Sequence, residues 1–199
     1  MHLYTHIQNR RYRARIYYDP LAENPSTQDT TLGTVVSWHP LGEAHGYASP
    51  TDFLAQVPED TVVRLPVYLY EHGGRRLSTR PFRDPWDSGL IGWIFADLST
   101  VCDYFGAVEF TPELRARAVR ALQDEIATLS AYLNGDVFGY VLERAVPCAC
   151  DPDCDHPPTY VVEDEAWGFY GTDFFANAMT SYLSHAFPEY TYRNLPASA

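Results

Sequence analysis

Residues 147–158 read PCACDPDCDHPP, and within nine positions they hold three of the chain's four cysteines and one of its seven histidines. Cys148, Cys150, Cys154 and His156 give C-x-C-x3-C-x-H, four donors of the kinds that bind zinc. On a strand Cys148 and Cys150 would project to one side, so two thiolates could grip one ion. A structural zinc there would lock a hairpin loop that has little apolar content of its own. Structural zinc usually draws on two separated pairs, so the segment also reads as a redox-linked thiol cluster or as a metal-free loop. Asp151, Asp153 and Asp155 alternate like the start of a calcium loop. The required Gly and Glu are replaced by His156 and Val162, which excludes calcium of that type.

A second group of chemically capable residues lies in PFRDPWDSGLIGWIF and YEHGGRR. Asp87-Ser88-Gly89 is the triplet of aspartic proteases, whose two carboxylates share a proton across a symmetric cleft. The chain has no second copy, so the triplet reads better as a turn: Asp87 caps it, Ser88 and Gly89 shape the backbone, and Trp86 packs beneath. His72 follows Glu71, and a His–carboxylate pair can do acid–base work, although strand neighbours face opposite sides. The candidate catalytic residues are therefore Asp84, Asp87 and His72, with Trp86 as a wall, provided the hairpin end meets the turn. His39, His45 and His185 are scattered, with no H-E-x-x-H, no G-x-S-x-G and no phosphate-binding glycine loop. The glycines of GLIGWIF lie inside a strand pattern and suit close packing.

The elements that must position these residues follow from periodicity. YRARIYY alternates as a half-buried strand does, TVVSWHP is a second strand stopped by Pro40, and DPLAENPSTQDTTLGT between them is a loop. TDFLAQV is a short helix capped by Ser49, with Pro50 in its first turn. Residues 61–82 form a hairpin around Gly73-Gly74. GLIGWIFADL is a nearly continuous apolar strand, central in a sheet, after which Ser99 caps a short helix ending at Gly106. The clearest helix covers residues 112–134, capped by Thr111 and ended by Asn134-Gly135, with Leu114, Ala118, Leu122, Ile126, Leu129 and Leu133 as its buried stripe. VFGYVLERAV and TYVVEDEAWGFYG are strands on either side of the cysteine loop. A last helix near residues 172–186 would bury Phe175, Ala178, Met179, Tyr182 and Leu183. The expected class is α+β, one domain over residues 1–199, with a mostly antiparallel sheet packed by the long helix and the C-terminal helix.

Charge adds a partner class. The chain of 199 residues carries −12, and all 14 of its basic residues are arginine. Residues 1–83 sum to +1, residues 84–136 to −6 and residues 137–199 to −7. Such a field repels phosphate backbones and favours a basic protein partner. Asp151, Asp153, Asp155, Glu163, Asp164 and Glu165 are the candidate partner-binding acids. RRYRAR at residues 10–15 is the exception, and Arg11, Arg13 and Arg15 would share one solvated strand face. No apolar run approaches the roughly 20 residues of a membrane span, and the first residues lack the apolar core of a secretory signal. These features place the protein in the cytoplasm and exclude a membrane role. A packed core is affordable at 46% apolar composition, which excludes general disorder.

YYDPLAENP, LGTVVSWHP, LPVYLYEHGGRRLSTRPFRDPWDSGLIGWIF, YLNGDVFGYV and EAWGFYG together resemble an uncharacterised family encoded by phages and other mobile elements of Gram-positive bacteria. The block Pro85–Gly89 and the block Trp167–Gly171 are its most specific parts. In relatives a cysteine stands where this chain has Asp84, and another where it has Ala166. The resemblance implies a gene on a mobile element, expressed inside a bacterial host. It favours a non-catalytic acidic accessory protein that binds a basic host protein, with nucleic-acid mimicry or an anti-defence role. Two alternatives stand beside it: a structural or assembly component of a phage or plasmid system, and an enzyme with a carboxylate site around Asp84 and Asp87. Structural zinc is the only cofactor suggested.

Overall fold

The computed structural model describes residues 1–28, 30–39, 46–148 and 156–195. In chain order the first elements are β1 (Leu3–Gln8), β2 (Tyr12–Tyr18), β3 (Thr34–Ser37), α1 (Pro50–Gln56), β4 (Val62–Glu71) and β5 (Arg75–Ser78). They are followed by β6 (Ser88–Asp97), α2 (Leu98–Phe105), α3 (Pro112–Asn134), β7 (Val137–Val146), β8 (Thr159–Tyr170) and α4 (Met179–Leu183). The class is α+β and every strand pairing is antiparallel. The sequence pattern by itself suggests one domain over residues 1–199 with one mostly antiparallel sheet. Packing divides it into two compact units with a four-stranded sheet in each: Met1–Glu23 with Gly135–Ala199, and Asn24–Asn134.

In the unit formed by Asn24–Asn134 the strand order is β3-β6-β4-β5. Alternation along the strands sends Val63, Val67, Leu69, Ile94 and Ala96 to one side, where α3 buries Leu114, Ala118, Leu122 and Ile126 against them. Val36 and Val62 point the other way, onto Phe53 of α1. α3 starts as its sequence dictates: Leu114 N donates to Thr111 Oγ1 at 3.2 Å, and Gly135 follows its last turn at φ 77°. Ser49 caps α1 by accepting from Asp52 N at 3.1 Å. α2 differs from expectation: it begins at Leu98, with Asp97 at its cap position and no side-chain cap bond, so Ser99 lies inside the helix.

In the other unit the order is β1-β2-β7-β8. Ala14, Ile16, Phe138, Tyr140 and Leu142 share one face and pack under Phe174, Met179, Leu183 and Phe187 of the C-terminal segment. The long C-terminal helix expected near residues 172–186 is corrected to the five residues of α4. Local hydrogen bonds win over the helical pattern: Asp173 Oδ1 accepts from Phe175 N and Ala176 N, Asn177 reaches back to the carbonyls of Tyr170 and Gly171, and Ala178 takes φ 68°. Phe175 and Tyr182, expected on the buried face, are about half exposed. No helix among the described residues is long and apolar enough to cross a membrane.

Candidate functional site

Two of the three candidate catalytic residues meet at the end of the β4–β6 pair. Tyr70 faces Ser88 across the ladder, and Glu71 N donates to Asp87 O at 2.9 Å. This register sets His72 Nδ1 3.1 Å from Asp87 Oδ2, with the two side chains 73% and 36% exposed. Glu71 turns to the other side of the strand, where Oε1 accepts from Arg75 Nε at 3.1 Å and Oε2 lies 3.7 Å from His39 Nε2. Asp84 stands apart from the pair. Its carboxylate accepts from Trp86 N at 2.9 Å and its carbonyl accepts from Ser88 Oγ, so Asp84, rather than Asp87, closes the turn. Trp86 does not pack beneath that turn; it is 93% exposed.

Nearby, a bulge at Ile91 interrupts the β4–β6 register. The Ile91 carbonyl accepts from Trp38 N at 3.1 Å and from Ser37 Oγ at 3.0 Å, which draws β3 close. A side chain at Gly92 would collide with the Val36 carbonyl, so this glycine allows the close packing expected of it. A depression of about 260 Å³ opens there against Trp38, His39, Leu90 and Trp93. The local chemistry amounts to an oriented, water-accessible imidazole at His72 and, separately, an aromatic hollow lined by His39.

In the other unit, Glu163, Asp164 and Glu165 lie exposed on β8, an end strand of its sheet. They do not share one face. A bulge between the pairs Leu142–Asp164 and Glu143–Val162 leaves Glu163 out of the ladder. Glu163 accepts from Arg144 Nε at 2.7 Å and lies 4.0 Å from His185 Nε2, while Asp164 accepts from Tyr140 Oη at 2.6 Å. Burial first, and then the bond to Asp164, pushes the Tyr140 hydroxyl well above the usual tyrosine range. Glu165 pairs opposite Val141 in the ladder.

Arg13 and Arg15 share a strand face, as the two-residue period requires, yet that face is not simply solvated. Glu143 accepts from Arg13 Nε and Arg15 Nη2, each at 2.7 Å, and its own side chain is buried. Burial works to raise the Glu143 carboxyl, but the two guanidiniums outweigh it and hold it below the usual carboxylate range. Arg13 also stacks 3.9 Å above the Tyr160 ring.

Of the zinc candidates, Cys150 and Cys154 lie outside the described residues, as do Asp151, Asp153, Asp155 and His45. Cys148 is disulfide-bonded, and its Sγ is 3.9 Å from His156 Nδ1. A disulfide sulfur is not a thiolate donor, so this pair alone makes no zinc site. Among the described residues no group of three or more His, Cys, Asp or Glu side chains is placed to hold a metal.

Glu125 is a partly buried acid that its sequence context does not single out. It sits on α3, three residues after the buried Leu122, and its two oxygens accept from Leu32 N at 2.6 Å and Gly33 N at 2.9 Å. Burial raises its carboxyl above the usual glutamate value, against the opposing pull of these two bonds. A cleft of about 330 Å³ opens beside it. The only cue in the sequence is an acid one position short of the apolar stripe, which most solvated helix faces also show. Comparison of the chain with protein-family models, with curated proteins and with solved structures returned no match.

Proposed function

We propose that the chain is a non-catalytic acidic protein that binds a basic protein partner through the β8 side of its sheet. One observation carries the reading: an end strand of twelve residues presents Glu163, Asp164 and Glu165 beside half-exposed Val161 and Val162. Acids around exposed aliphatics suit a basic surface with an apolar centre. The unit that contains β8 holds twelve acids against six arginines, a net of −6, which favours approach by a cation-rich surface. The resemblance of the Pro85–Gly89 and Trp167–Gly171 blocks to a mobile-element family points to a bacterial host protein as the partner, including one whose site otherwise holds nucleic acid. Retention of host proteins on the immobilised chain should weaken from low to high salt. It should also fall about tenfold for Glu165→Lys with Val162→Arg, a substitution pair that leaves the core untouched. Retention indifferent to both salt and substitution refutes this use of β8.

The His72–Asp87 contact favours a second reading, an enzyme whose base is the His72 imidazole oriented by Asp87. Asp87→Asn should then abolish the biological effect of the intact chain without changing its unfolding. An unchanged effect removes the enzyme reading and leaves the binding reading standing.

A further inference from the structure

The cleft beside Glu125 lies wholly within Asn24–Asn134, and its walls explain one another. One wall is the loop before β3. Asn24 Oδ1 accepts from Ser26 N at 3.0 Å and from Ser26 Oγ at 2.8 Å, and Thr31 Oγ1 donates to the Gln28 carbonyl at 3.0 Å. Glu125 then ties the end of that loop to α3 through Leu32 N and Gly33 N. The loop can approach this closely because residue 33 is glycine. A Cβ there would lie 2.5 Å from Leu122 Cδ2 and 2.6 Å from Ile94 Cγ1. The cavity is therefore held open by bonded walls.

Its lining is chemically one-sided. Val35, Ile94 and Leu129 supply an apolar floor, Ser26 and Thr128 supply hydroxyls, and Asp124 and Glu125 supply two carboxylates. Among the described lining residues none is basic, and no ion pair of Asp124 or Glu125 occurs among the described residues. A second hollow of about 190 Å³ shares Ser26, Gly33, Val35 and Leu129 with the first, and continues over Val67, Leu77 and Leu133. The two hollows adjoin, with both carboxylates lining the first, and no charged residue among the described lining of the second, which also carries Asn24, Thr34 and Ser37. Each Glu125 oxygen takes a single backbone N–H, and a carboxylate oxygen can accept two bonds. Glu125 is partly buried, and a carboxylate partly withdrawn from water without a counter-charge gains from a cation brought to it.

We infer that this cleft is a binding site for a small organic cation, an ammonium or guanidinium carried on an apolar body. The charged head pairs with Glu125 at the α3 wall, the Thr128 and Ser26 hydroxyls flank it, and the apolar body lies along Val35 and Leu129. A volume of about 330 Å³ is near the lower end for ligand sites and suits a ligand of modest size. The site is independent of the β8 surface, and the failure of either leaves the other intact.

Titration calorimetry on the full chain with phenethylammonium, 2-phenylethanol and 3-phenylpropionate tests it. One equivalent of phenethylammonium should bind with a Kd of about 1 mM or tighter, and the neutral and anionic probes about tenfold more weakly or not at all. Glu125→Gln should weaken the ammonium about tenfold. Because that change also loosens the loop, Thr128→Phe serves as the second variant: it fills the cleft from α3 and leaves both Glu125 bonds in place. It should abolish binding with the unfolding midpoint unchanged. Three probes binding alike, no binding by the ammonium probe up to about 10 mM, or ammonium binding indifferent to Thr128→Phe overturns the site.

Discussion

Glu143 is buried and Glu125 partly buried, and their neighbours move them in opposite directions. Glu143 has two guanidiniums, so its carboxyl is depressed. Its contribution is present above the unfolded glutamate pKa and is lost as pH falls through the lower folded value. Glu143→Gln should therefore flatten the acid limb of stability below about pH 4.5, and at neutral pH it should cost about 1–3 kcal/mol, because Arg13 and Arg15 lose a charged acceptor. Glu125 has backbone amides but no cation, so burial dominates and its carboxyl is raised. A raised carboxyl stabilises the fold below the unfolded pKa and loses that contribution as pH rises through the folded one. Stability should thus decline with rising pH just above the ordinary glutamate range, and Glu125→Gln should remove that slope. The variant should also lose about 1–3 kcal/mol, since its amide nitrogen would face a backbone N–H. Urea unfolding of both variants across pH checks the two slopes. Neither role was legible from the residue alone: an acid in sequence carries no mark of what the fold will set beside it. His72 and Asp87 were suspected from their types, but fifteen positions separate them, and only the β4–β6 register brings them to 3.1 Å.

Elements with a strong period were legible before any packing was known. β2, β7 and β8 fall where alternation placed them, and α3 covers the span between its Thr111 cap and Gly135. Such elements are set by which residues can be buried together, and that pattern is written locally. Leu122→Ala, in the middle of the α3 stripe and fully buried, should cost about 2–5 kcal/mol by urea unfolding. Gly33→Ala should cost about 1–3 kcal/mol, because the added methyl must displace Leu122 or Ile94. The misreadings lie at weak or contested signals. β1 is a short end strand whose buried positions are only Thr5 and Ile7, and its six residues were passed over. α4 is short because Asp173, Asn177 and the left-handed Ala178 direct the backbone into turns that an apolar tally cannot detect. The cysteine hairpin is checked by elemental analysis. Protein purified with its thiols reduced should carry one zinc if Cys148, Cys150, Cys154 and His156 form a site, and none if they do not. Protein with Cys148 in its disulfide should carry none.

At the scale of the molecule, folding redistributes the charge. The late residues hold nearly all the excess acid in sequence, yet the stretch Arg10–Arg15 puts four arginines beside that acid, two of them, Arg13 and Arg15, on β2 in the sheet that holds β7 and β8. Each unit ends at −6, the second with fourteen acids against eight arginines. A partner that reads charge should therefore respond to the local pattern on β8 more than to the total. The unit Asn24–Asn134 is continuous in sequence and keeps its two apolar clusters to itself. Expressed alone, residues 24–134 should unfold cooperatively in urea with native-like circular dichroism. A fragment without a cooperative transition refutes its independence.

The order of apolar and polar residues determined, without help, that this chain builds antiparallel sheets with one long helix laid across strands, because burial period and helix caps act over a few neighbouring residues. Tertiary structure alone decided that there are two sheets, that Arg13 and Arg15 close on Glu143, that His72 meets Asp87, and that Glu125 stands at a cleft. Those facts depend on register and on chain segments far apart in sequence. A difference of one residue in the β2–β7 pairing would turn Arg13 and Arg15 to the face opposite Glu143.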